Sequence, residues 1–175
     1  MNRPPYIITD VFTSIVAEIS AILATPVYSY YGYIKELDER LVQYNQSPAS
    51  FDKKYPLVWL SQPFTITRVN ADYYGDVMLR IFIIHQSEKT LKAAERMTQN
   101  FKPVMYPIYL ELINAISNHT ELFERSMNGH VPHDVTDRYY WENKDITDVI
   151  DCMEISNLKL KIANNPNCSV TTLFH

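Results

Sequence analysis

Glycine is scarce: only Gly32, Gly75 and Gly129 occur in 175 residues. That excludes the Gly-rich loops that cradle phosphates, where backbone must approach the ligand closely. Neither a Walker-type nor a dinucleotide-type loop is present, and there is no G-x-S-x-G nucleophile elbow. Cysteine is rarer still. Cys152 and Cys168 make neither a disulfide framework nor a zinc ligand set. Dense positive charge is also missing, with a formal net charge of −4 and no Lys/Arg run longer than Lys53-Lys54. Binding a phosphate backbone is driven by clustered Lys and Arg, so general nucleic-acid affinity is excluded. No stretch approaches the ~18 consecutive apolar residues of a membrane span. The opening MNRPPYIITD has no apolar core of signal-peptide length. The expectation is a protein folded in a reducing cytoplasm, with no membrane partner.

What the chain does have is apolar bulk and tyrosine. Hydrophobic residues make up 46%, enough for a real core and unlike a disordered chain. The length fits one domain of ~100–200 residues. The reading is a single α+β domain over residues 1–163 and a C-terminal tail over 164–175. Tyr occurs 13 times and Pro 10 times. Tyrosine suits half-buried surfaces, with an apolar ring and a polar tip, and such surfaces are common at interfaces. Lining ordinary strands would explain the same count, and both explanations stay open at this point.

Thr9 or Asp10 can cap a first helix whose Val11, Ile15, Ile19, Ile22 and Leu23 recur at helical spacing. Pro26 helps to stop it. Val27–Tyr33 reads as a strand, Ile34–Tyr44 as a short helix and Leu57–Leu60 as a strand pinned between Pro56 and Pro63. A long hairpin follows, Thr65–Val69 and Val77–His85, joined across Asn70–Asp76. Both faces of its second arm are largely apolar, which predicts a central strand covered on both sides. Ser87 and Thr90 offer caps for a helix striped by Ala93, Ala94, Met97 and Phe101. Pro103 interrupts that helix and a second run reaches about Asn118, so one long kinked helix or two end to end are expected. Arg138–Glu142 and Asp148–Ala163 return to strands. Asn157 breaks the alternation between Ile155 and Leu158 and predicts a bulge or a bend there. The sum is α+β: a mostly antiparallel twisted sheet with an N-terminal helix and a long kinked central helix.

The search for chemistry finds little. His130, His133 and Asp134 could supply zinc ligands, but Pro132 prevents the helix that would present an i, i+3 pair. A solvated polar loop is the simpler reading of that segment. His85 reads as a strand-end residue and Cys152 as a small core residue. Carboxylate pairs such as Asp148 with Asp151 and Glu36 with Asp38 read as ordinary solvated side chains. The expectation is no cofactor, no metal and no catalytic residue.

Three segments form a recognisable pattern. Lys54-Tyr55-Pro56-Leu57-Val58-Trp59-Leu60 follows a polar loop. Glu95-Arg96 and Asn100-Phe101-Lys102-Pro103 close on Tyr106-Pro107-Ile108-Tyr109. Around them run a short N-terminal helix and a Tyr-rich strand ending in Gly32-Tyr33. Over residues 8–163 this resembles small neck and tail-completion proteins of tailed bacteriophages, particularly those of Bacteroidetes-type hosts, such as tail terminators and connector-ring subunits. The resemblance implies a structural virion protein in the neck or tail: a homo-oligomeric ring of 6 or 12 copies against portal, connector or tail-tube proteins, with double-stranded DNA passing transiently through its centre. A phage assembly adaptor or chaperone that forms no ring is the alternative within that class. A metal-dependent enzyme using His130, His133 and Asp134 is the alternative outside it.

A ring contact joins two different patches of each subunit, and aromatic side chains tend to anchor interfaces. The candidates are Asp72, Tyr73 and Tyr74 at the hairpin tip, Phe51 in the polar loop Asn45–Lys54, and Tyr139, Tyr140 and Trp141. Trp59, between apolar neighbours, reads as core. Replacing Tyr73 and Tyr74 together by Ala is expected to leave the monomer folded, by circular dichroism, while weakening assembly; loss of the fold would mark them as core.

Overall fold

A computed structural model of the chain describes residues 7–46, 53–68, 74–119, 122–124, 131–138 and 148–163. The elements are α1 (Ile8–Ile22), β1 (Tyr28–Gly32), α2 (Ile34–Gln46), β2 (Leu57–Ser61), β3 (Ile66–Arg68), β4 (Tyr74–Gln86), α3 (Ala93–Arg96), a π-helical segment (Met97–Met105), α4 (Tyr106–Asn118), β5 (Leu122–Glu124), β6 (Asp134–Arg138) and β7 (Ile150–Ala163). The seven strands form one sheet in the order β1-β2-β4-β7-β5, with β3 also on β4 and β6 also on β7. Among the described residues only β1 with β2 is parallel, and every other pairing is antiparallel. The fold is α+β, as the pattern of the sequence predicts.

The central pair is β4 with β7, in register from Tyr74–Ala163 to Gln86–Ile150. One face of it carries Val77, Leu79, Ile81 and Ile83 beside Met153, Ile155, Leu158, Leu160 and Ile162. On this face lie Phe12, Ile15, Val16 and Ile19 of α1, with Phe101, Met105, Ile108 and Leu112 of the long helix. The opposite face is smaller: Leu37 and Leu41 of α2 cover Leu57, Trp59, Phe82, Ile84, Ile150 and Cys152. Trp59 stacks on Phe82 at 5.0 Å. The covering of β4 is therefore unequal. Met78 is half exposed and Arg80 is exposed, because α2 reaches only the Phe82–Ile84 end.

The bulge falls where the alternation breaks. Leu79 faces Leu158 and Ile81 faces Ile155, so Arg80 stands opposite both Ser156 and Asn157. Asn157 takes φ +55°, and its amide donates to Asp134 Oδ2 at 2.6 Å. A one-residue slip in a strand turns every later side chain to the other face. The extra residue puts Leu158, Leu160 and Ile162 back on the large core.

The helical run from Ala93 to Asn118 is unbroken. Pro103 lies inside it without ending it, because the winding there is widened: the Tyr106 N–H donates to Phe101 O, five residues back. A proline in an α-helix lacks its own N–H and crowds the carbonyl four residues earlier, and the wider π winding relieves the crowding. The start of this run differs from the expected caps. Lys92 N–H donates to Glu95 Oε2 at 2.7 Å, so Glu95 caps it. Ser87 instead ends the sheet, donating its N–H to Val149 O. Nor do Thr9 and Asp10 cap α1, which begins at Ile8 without a side-chain cap and holds both residues in its first turn.

Two further expectations are corrected. The hairpin of β3 and β4 is only three pairs long, Ile66–Val77 to Arg68–Gly75, and the rest of β4 pairs β2 along that edge. Its long arm lies at the centre of the sheet, as its two apolar faces predict. Asp134–Asp137, read as part of a polar loop, forms strand β6 together with Arg138, with Val135 and Thr136 supplying the β-formers. The segments 139–142 and 164–175 lie outside the described residues.

Phe101 is fully buried in the large core. Phe101→Ala is expected to cost ~3–5 kcal/mol of stability, read as a lowered urea midpoint with an unchanged slope.

Candidate functional site

Three polar arrangements stand out against this apolar frame. At the end of the sheet where β7 begins, Asp151 is fully buried. Its Oδ1 accepts from Arg96 Nη1 at 2.7 Å and its Oδ2 from Asn100 Nδ2 at 2.6 Å. Arg96 also donates to Leu91 O and Glu88 O, and Asn100 to Gln86 O. Beside it, Asp148 accepts from Lys54 Nζ, from Tyr55 Oη at 2.7 Å and from Asn45 Nδ2 at 2.9 Å. Burial pushes the Asp148 carboxyl up, but these hydrogen bonds and the Lys54 charge outweigh it and hold the carboxyl below its usual range. Burial and the hydrogen bond to Asp148 raise the Tyr55 phenol. Both aspartates correct the sequence reading: they are the partners of buried cations, not solvated side chains. The residues that hold them, Lys54, Tyr55, Arg96 and Asn100, belong to the quoted motifs. In this structure those motifs lock helices and strands together.

The second arrangement lies on the smaller sheet face. Glu154 accepts from Arg80 Nε at 2.6 Å and from Arg138 Nε at 2.7 Å. Burial raises its carboxyl, and the two guanidiniums more than reverse that. Arg80 also lies 4.8 Å over the Phe82 ring. Both arginines border an open groove of about 360 Å³ that also touches Tyr33, Lys35 and Gln62. The neighbouring turn depends on glycine. Gly32 has φ +153°, and a Cβ there would collide with the Glu36 carboxylate, which accepts the Tyr33 N–H at 2.8 Å.

The third arrangement is the pair of sheet edges. Four rows of partnered residues cross the sheet from β1 to β6: Tyr28-Leu57-Ile84-Cys152-Arg138, Ser29-Val58-Ile83-Met153-Asp137, Tyr30-Trp59-Phe82-Glu154-Thr136 and Tyr31-Leu60-Ile81-Ile155-Val135. Both edge strands are five residues long. Among the described residues, no strand pairs with the outer side of either. At the β1 edge Tyr30 and Tyr31 stack 6.3 Å apart, with Arg40 5.1 Å over the Tyr30 ring. At the β6 edge Asp137 Oδ2 accepts from Tyr106 Oη at 2.7 Å, which ties the strand to α4.

Of the interface candidates, Phe51, Asp72, Tyr73, Tyr139, Tyr140 and Trp141 lie outside the described residues. The backbone of Tyr74 is described and opens β4, paired with Ala163. Trp59 is fully buried, as its neighbours predict. His133 does not stand free for a metal. Its Nδ1 lies 2.6 Å from Val131 O, a pure acceptor, so Nδ1 carries the proton and Nε2 accepts from Tyr109 Oη at 2.8 Å. Asp134 is taken by Asn157, and His130 lies outside the described residues. Among the described residues, no three His, Cys, Asp or Glu are placed to hold a metal. No described helix is long and apolar enough to cross a membrane.

The sequence reading missed Arg80, Glu154, Tyr31 and Val135. For the first two a signal existed: Arg80 interrupts the apolar run VMLRIFII, and Glu154 stands between Met153 and Ile155, so each charge asks for an opposite partner. The chain matches no known family model, and no curated protein sequence matches it.

Three groups set an acid response. Burial lowers the His85 imidazole, against the pull of Asp151, while Asp148 and Glu154 are held below their usual values. Each binds a proton less readily folded than unfolded, so its stabilisation is complete above the unfolded value and lost as pH falls through the folded one. Unfolding midpoints are expected to decline first below about pH 6.5 and again below about pH 4. His85→Gln should flatten only the first limb and Asp148→Asn only the second. A separate denaturation series tests the buried pair: Asp151→Ala should cost ~3–5 kcal/mol by stranding Arg96.

Proposed function

We propose that the protein is a structural subunit that assembles with copies of itself, as a ring at the neck or tail of a tailed-phage virion. The observation that carries the assembly reading is the pair of sheet edges at opposite ends of the same rows, neither of which has an outer strand among the described residues. An unpaired edge is a template for another strand, and isolated proteins normally cover or charge it. A subunit with two different open edges can join head to tail, and such contacts close into rings when the rotation allows.

The place in a virion rests on the resemblance of residues 8–163 to phage neck and tail-completion proteins. Portal, connector or tail-tube proteins are the partners that follow from it, and 6 or 12 copies are the expected ring sizes. A net charge of −4 suits a lumen through which DNA slides without adhering, because like charges repel. The polar networks serve this role as rigid supports: Glu154 holds Arg138 at the β6 edge, and Trp59 Nε1 donates to Gly32 O at 3.1 Å at the β1 edge.

Light scattering and negative-stain imaging of the purified protein at high concentration test the proposal. Closed rings with a central hole are expected. A strict monomer at every concentration, and in the presence of the portal or tail tube, would sink it.

A further inference from the structure

The two edges match each other in more than their length. The strand β1 runs parallel to β2, and each step from β2 to β4, β7 and β6 reverses direction. It follows that β6 runs opposite to β1. A copy placed beside another along the rows, with its sheet faces unchanged, would therefore set its β1 antiparallel to the first copy's β6.

The side chains support the same register. Val135 is 40% exposed and Tyr31 45% exposed, both unusual for large apolar residues here. They occupy opposite ends of one row, so in the unshifted register they become direct cross-strand neighbours on one face. Two rows along, on the same face, Ser29 meets Asp137, a hydroxyl donor beside a carboxylate. At the far end Tyr28 meets Arg138, an aromatic face beside a guanidinium. Symmetric alternatives fit less well. Pairing β6 with another β6 about Thr136 places Val135 against the carboxylate of Asp137, and leaves the tyrosines of β1 uncovered.

Resting on the self-assembly reading, we infer that β6 of one copy pairs antiparallel with β1 of the next, in the register that sets Val135 against Tyr31, to build one sheet across copies. The partner is a second copy of this chain, and the contact is heterologous, so it propagates beyond a dimer. Main-chain hydrogen bonds supply the attraction, and the Val135–Tyr31 contact selects the register.

The test is disulfide trapping in a Cys168→Ser background, where the remaining Cys152 is fully buried. Tyr31→Cys and Val135→Cys are made singly and together, oxidised mildly and run on non-reducing gels beside light scattering of the parent. The double variant is expected to give a ladder beyond dimers, with both single variants staying monomeric on the gel. Efficient dimers from either single variant would overturn the register in favour of a two-fold contact. If the parent assembles but the double variant forms no ladder, the edge pairing is wrong while the assembly reading stands. If the parent never assembles, both fall. As a second measurement, Val135→Lys should weaken assembly about 5-fold, and adding Tyr31→Glu should restore it. Loss without rescue would count against the pairing.

Discussion

The Asp151 carboxylate has no exposure to water, and one end of the molecule is organised around satisfying it. A buried charge is tolerated only when paired and hydrogen-bonded, and Asp151 receives a guanidinium on one oxygen and an amide on the other. Arg96 and Asn100 come from one side of the helical run, so the first residues of β7 determine where that helix begins and how it lies. Arg96 then reaches back to Leu91 O and Glu88 O, which sets the connection out of β4. The large core depends on this placement, because Phe101, Met105, Ile108 and Leu112 follow on the same run.

The sheet transmits that anchoring sideways. The long central strands, β4 and β7, are covered unequally: fully on the face beneath α1 and α4, and only at one end by α2. Where α2 stops, apolar residues give way to the Arg80–Glu154–Arg138 cluster, which keeps charge in contact with water while Phe82 lies beneath one guanidinium. The same clamp steadies β6, as Tyr106 does from the other side through Asp137. An edge strand fixed on both faces is a rigid template, and rigidity lowers the ordering cost of any strand that joins it. The polar networks thereby link internal stability to the surface through which the proposed assembly works.

Local pattern made much of the fold legible. The alternation in Asp148–Ala163 and its break at Asn157 foretold β7 and its bulge. The apolar run of Val77–His85 foretold a central strand, and helical spacing foretold α1 and the run to Asn118. The misses share one cause, which is that they depend on contacts distant in sequence. Glu95 caps the long helix where Ser87 and Thr90 looked better suited, because Ser87 is held at the end of the sheet. Asp148 and Asp151 looked solvated because their cations lie 94 and 55 residues away.

By itself the sequence determined the class of the molecule. Few glycines, no basic cluster and no catalytic motif follow from residue identity alone, as does a mostly antiparallel α+β fold from periodicities of two and 3.6. The tertiary structure alone decided which residues meet. Tyr31 and Val135 share a row only because four strand pairings intervene between them, and each pairing has its own register. Nothing local encodes that sum, since a register is chosen by burying one whole strand face against helices from elsewhere in the chain. The edges, and whatever assembles on them, are properties of the packed sheet.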